Sequence, residues 1–316
     1  MITRQFKIAG FVWLSLVFAV TAASAQNVAL IIGNSAYQNV KPLSTVIADA
    51  SAVAETMRGA GYDVIISTDV RQRDIGEVMR TFLDKVAAAG GNAIAFFYYA
   101  GYAAQANGEN YLVPVDAPIA GASDVATQSL RLNELIEALS KTPAAARVVV
   151  LDASHDHGFG RGTAQAVPPG LANMETPAGM MIASAAAPRE VAVDGTGTNS
   201  VFTRTLVSLM RQPGLDLDRV FKAARLQVSK ETVGRQIPWT ASALMVDVTL
   251  FSVPAVAPQP KTAEQPRTKK KQVREERPHR KRARDDTAPV GSEPRPASPP
   301  IIFGIGGGGI GIGIGR

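Results

Sequence analysis

Between residues 27 and 251, short continuous apolar runs alternate with segments whose apolar residues recur at helical spacing. Residues 28–32 are apolar throughout and stop at Gly33-Asn34, a turn signal, which predicts a strand buried on both faces. Val46, Ala50, Val53, Ala54 and Met57 then follow at helical spacing, and Gly59 to Gly61 closes that helix. Residues 62–66 form the second predicted strand. The clearest helix places Ile75, Val78, Met79, Phe82, Leu83 and Val86 on one face behind Asp74 as cap, with Gly90-Gly91 at its end. Strands are predicted over 93–99, 147–151 and 180–185, and Leu132, Leu135, Ile136 and Leu139 mark a third helix. Two further helices, over 201–210 behind Asn199-Ser200 and over 218–228, precede a last strand near 244–248. Repeated β-α units of this kind imply an α/β fold with a mostly parallel six-stranded sheet and helices on both faces. Sites in such sheets form at the carboxyl ends of the strands, where Gly33, Gly101 and residues 152–156 fall.

The two ends of the chain follow other patterns. Arg4 and Lys7 precede an apolar run over 8–20, and Ala23-Ser24-Ala25 follows. These are the parts of a secretory signal peptide over 1–25, with cleavage expected before Gln26 and a periplasmic or secreted mature chain. An uncleaved membrane anchor is the alternative, since 8–25 carries no charge; Ser15, Thr21, Ser24 and the small-residue site favour cleavage. The formal charge of +6 sits in the tail, where thirteen Lys and Arg from Lys261 onward outnumber six Asp and Glu. Residues 253–316 are rich in Pro, Ala, Lys, Arg and Glu and end in a Gly/Ile repeat, a composition that predicts disorder. Such a run is ordinarily a solvated stretch of charge; attraction to an anionic envelope surface is the functional reading, with nucleic acid the least favoured partner for an exported chain.

There is no cysteine in the 316 residues. Disulfides, thiolate metal sites and a thiol nucleophile are thereby excluded. Nothing in the spacing of the remaining residues predicts a metal or cofactor. Two strand ends carry the candidate chemistry: Tyr98-Tyr99-Ala100-Gly101-Tyr102-Ala103, and Leu151-Asp152-Ala153-Ser154-His155-Asp156.

Their placement resembles the caspase and metacaspase family. In that family one strand ends Y-A-G-H-G with the catalytic His, and a later one ends D-A-C-R-D or Q-A-C-R-G with the nucleophilic Cys. Tyr102 stands at the His position and Ser154 at the Cys position, 52 residues apart, against about 50 in the family. Residues 29–37, 110–116, 195–203 and 235–239 are also similar to segments of bacterial caspase-like proteins, so the resemblance covers 26–252. It implies a caspase-like three-layer sandwich, a groove for a peptide or protein ligand, and no cofactor.

The departures bear on activity. In an active member the His takes the proton of the Cys, and backbone N–H groups hold the oxyanion. A tyrosine is a weak base, with about one molecule in a thousand ionised at pH 7. Ala103 replaces the family's second Gly, and would be strained if that position needs a positive φ. Loss of both members of such a pair costs on the order of 10⁶ in turnover. The resemblance therefore implies a pseudopeptidase, a binding or regulatory module. A serine-dependent hydrolase pairing Ser154 with His157 is a second reading, against the ordinary expectation that His155 and His157 are partly exposed loop residues. An envelope scaffold acting through the tail is a third. Asp152 matches the position that lines a pocket for basic side chains in metacaspases; a capping or ion-paired carboxylate is the plainer reading of it. Oligomeric state is open.

Overall fold

The computed structural model describes residues 26–163, 166–193 and 197–253. The expected signal segment over 1–25, and all but the first residue of the expected disordered segment over 253–316, lie outside them. The elements run β1 (Val28–Gly33), α1 (Val46–Gly59), β2 (Asp63–Thr68), α2 (Gln72–Ala89), β3 (Ile94–Ala100), β4 (Ala103–Ala106) and β5 (Glu109–Leu112). They continue with α3 (Ala122–Gln128), β6 (Leu130–Arg131), α4 (Leu132–Ser140), β7 (Ala146–Asp152), β8 (Met180–Ser184), α5 (Val201–Met210), α6 (Leu217–Glu231) and β9 (Trp239–Ser242).

Six strands form one sheet in the order β2-β1-β3-β7-β8-β9, with β9 alone antiparallel to its neighbour. The apolar runs explain the layers, because successive side chains of a strand point to opposite faces. Ala29, Ile31, Phe96, Tyr98, Val148 and Val150 pack with α1, α5 and α6 on one side. Leu30, Ile32, Phe97, Tyr99, Val149 and Leu151 pack with α2 and α4 on the other. This is the three-layer sandwich that the resemblance implies. At the end of β1 a Cβ on Gly33 would stand 2.8 Å from that of Ala50, so the close seating of α1 on the strand requires glycine there. Among the described residues no helix is long and apolar enough to cross a membrane.

Two local expectations are corrected, and two further points are added. The last strand is β9, and residues 244–248 form none; Ser242 already pairs with Met181, so beyond Ala243 the partner strand has run out. Helix α2 starts at Gln72, with Asp74 inside its first turn instead of capping it. A second sheet, β4-β5-β6, was not anticipated, although Asn107-Gly108 turns its hairpin with positive φ at both residues. Ala103 opens β4 and is not among the positive-φ residues, so the condition under which it would be strained is not met.

Candidate functional site

Strands β1, β3 and β7 end side by side, with Gly33 beside Ala100 and Ala100 beside Asp152. Beyond the last paired residues the chains stay tied, the Gly101 N–H donating to the Asp152 carbonyl and the Ala103 N–H to the Ala153 carbonyl, each at 3.3 Å. Tyr102 and Ser154 thus lie on neighbouring strand extensions.

The backbone of Tyr102 is clamped on both sides. Its N–H donates to the Tyr37 hydroxyl at 2.7 Å, and its carbonyl accepts from the Tyr99 hydroxyl at 2.9 Å. Its own hydroxyl donates to the Lys41 carbonyl at 3.1 Å. The ring meets Tyr37 edge-on at 4.8 Å, and His155 and Phe159 at 6.1 Å each.

Ser154 is 1% exposed, and its hydroxyl has no hydrogen-bond partner among the described residues. His157, expected in an exposed loop, is buried, as is His155. The reason is Phe159, which turns inward, stacks on His157 at 4.5 Å and draws the loop onto the core. His157 Nδ1 accepts the Phe159 N–H at 3.1 Å, which leaves the ring proton on Nε2. Burial pushes its pKa down to about 4. The hydrogen bond that a Ser154/His157 pair requires is absent.

Asp152 is buried and anchors the start of α5. Its Oδ2 accepts from the Ser200 hydroxyl at 2.6 Å and the Thr203 hydroxyl at 2.8 Å, while Ser200 caps the helix by accepting the Thr203 N–H. No ion pair among the described residues includes it. A second carboxylate, Asp49 of α1, accepts from the Ser200 N–H at 3.0 Å and the Asn199 amide at 2.9 Å. Both acids therefore sit at the positive end of the α5 dipole. Burial and the charge of Asp152 raise the Asp49 pKa to about 7. A cavity of about 260 Å³ opens in front of Ser200, lined also by Lys41, Leu43, Thr45, His155 and Val193. Asp152 stands behind this wall, one hydrogen bond from the space. Among the described residues no cluster of three or more His, Asp or Glu is arranged to hold a metal ion.

Sequence reasoning missed Asp49, Tyr37 and Lys41. Asp49 did carry a signal: it interrupts the apolar face of α1, three residues after Val46 and four before Val53. Its pKa gives a test. Between about pH 4 and 7 the folded chain keeps a proton on Asp49 that the unfolded chain has released, so this group's contribution falls as pH rises through that window. Asp49→Asn retains the acceptor for Ser200 and Asn199. Its melting temperature should lie close to the parent's near pH 4.5 and exceed it above pH 7.5, by an effect of about 3 kcal/mol. Equal melting temperatures at both pH values would show that Asp49 ionises normally.

The caspase domain matches the chain over residues 26–249. No curated protein matches it. With the sheet order, the two-sided helical layers and this match all covering the same residues, the chain belongs to the caspase-domain family, as a member without a single cysteine.

Proposed function

We propose that this protein is a non-catalytic caspase-like module that binds a peptide or protein segment without hydrolysing it. The observation that carries the reading is Ser154, which occupies the nucleophile position by resemblance yet is buried with an unpartnered hydroxyl. A serine nucleophile needs a base within about 2.6–3.2 Å. Tyr102, at the base position by the same resemblance, has its hydroxyl committed to the Lys41 carbonyl. His157 presents an N–H donor and a depressed pKa, the wrong state for that work. The cavity in front of Ser200 has room for one ligand side chain, and Asp152 behind it favours a basic one. The mature chain on this reading begins at Gln26 outside the cytoplasm, with the basic tail drawn to an anionic envelope surface.

The test uses the chain from Gln26 with a fluorophosphonate probe and with peptides offering Arg, Lys or Asp at the scissile bond. Neither labelling nor cleavage is expected. Labelling that disappears in Ser154→Ala or His157→Ala would establish the serine hydrolase instead. A phenotype lost on deleting only the tail and kept with a blocked cavity would establish the scaffold.

A further inference from the structure

Away from the site, the surface where the second half of α6 meets β9 combines cations with exposed apolar side chains. Lys222, Leu226 and Lys230 are four residues apart and share one exposed helical stripe. The chain then turns through Arg235 and returns as β9, leaving Val233 85%, Ile237 46% and Trp239 47% exposed. Arg225 joins the two elements: its guanidinium lies 6.0 Å over the Trp239 ring, and its Nε–H donates to the Pro238 carbonyl at 2.9 Å. Among the described residues no ion pair engages Lys222, Arg225, Lys230 or Arg235, while the nearby Glu231 is held by Arg204.

Val233 adds an independent observation. It follows the Thr232 C-cap with φ +53°, in the left-handed region where glycine is the usual residue at a helix end and a β-branched side chain is strained. The backbone N–H of Val233 closes the turn on the Lys230 carbonyl, but its strained side chain projects into solvent, which points to a use outside the fold.

We propose that this face docks on an anionic lipid bilayer. Leu226, Val233, Ile237 and Trp239 enter the headgroup boundary, and Lys222, Arg225, Lys230 and Arg235 meet lipid phosphates. The charge is complementary, with four cations and no acid paired to them. Apolar residues set singly among lysines suit this mixed interface better than a protein partner, since protein interfaces are depleted of Lys. Tryptophan at headgroup level is the usual membrane anchor.

The experiment uses the chain from Gln26, in which Trp239 is the sole tryptophan because the other is Trp13. Vesicles of phosphatidylcholine with one part in three phosphatidylglycerol are expected to shift Trp239 emission to the blue, and brominated acyl chains to quench it; phosphatidylcholine alone should do neither. Lys222→Gln with Lys230→Gln should weaken vesicle binding by about fivefold for each charge removed. Val233→Gly should weaken binding while raising the melting temperature, which a merely structural residue would not do. Vesicle binding without a change at Trp239 would assign it to the basic tail and overturn the proposal. So would a blue shift without lipid that grows with protein concentration, which marks self-association.

Discussion

Gly101→Ala is expected to lower the melting temperature by about 10 °C or more. The residue has φ +153°, and an added Cβ would fall 2.6 Å from the Tyr37 hydroxyl, 3.0 Å from the Tyr99 hydroxyl and 3.1 Å from the Asn34 Cβ. None of these can yield cheaply. All three residues are buried, Tyr37 and Tyr99 hold the N–H and the carbonyl of Tyr102, and Asn34 spans the Val113 carbonyl and the Val70 N–H. Backbone strain of about 1–3 kcal/mol adds to overpacking of about 1–3 kcal/mol, and each kcal/mol moves the transition of a domain this size by about 2–4 °C. Thermal or urea unfolding reads the loss. Tyr37→Phe removes the nearest clashing atom, so Gly101→Ala with Tyr37→Phe should lose clearly less than the two single changes together. A Gly101→Ala protein within 3 °C of the parent would show that this strand end is not tightly packed.

The same crowding separates what the sequence made legible from what it concealed. Strands β1, β3, β7 and β8 are buried on both faces and therefore write themselves as unbroken apolar runs. Edge strand β9, Trp-Thr-Ala-Ser, is paired on one side and half exposed, so its composition carries little signal, while the more apolar 244–248 lacks a partner strand. The hairpin of β4 and β5 was marked by Asn107-Gly108, but its small residues gave no alternation to support it. At the site, Tyr102 and Ser154 could be placed because both follow recognisable strands. Their surroundings could not, because the groups that define them come from distant positions: Tyr37 bonds Tyr102 across 65 residues, and Asp49 bonds Ser200 across 151. The burial of His157 likewise depends on Phe159 reaching the core, which no local pattern announces.

Tyr102→His combined with Ser154→Cys is expected to raise peptide hydrolysis about 10³-fold above the parent, and to give a thiol that alkylates faster than in Ser154→Cys alone. The scaffold should accept both changes. The clamp on residue 102 uses its backbone N–H and carbonyl, so a new side chain leaves the strand end in place. At 154 an unpartnered buried hydroxyl gives way to sulfur, which tolerates apolar surroundings. An imidazole at 102 supplies the base that Tyr102 does not, and lowers the pKa of the thiol at 154 so that its thiolate is the nucleophile. The gain should still fall short of the order of 10⁶ that a lost pair costs. The N–H of Ala103, which stands where the resemblance places the family's second Gly beside the base, is already given to the Ala153 carbonyl and so is not free to hold an oxyanion. One missing oxyanion donor is worth about 10²–10³ in turnover, and the larger of these losses leaves the expected gain of about 10³. Cleavage should favour Arg or Lys at the scissile bond, since Asp152 stands behind the cavity wall. Alkylation rates and a fluorogenic peptide panel read both parts. A double variant that folds, as judged by its melting temperature, yet neither alkylates faster nor cleaves would show that the side chains at 102 and 154 are not what limits peptide hydrolysis by this chain.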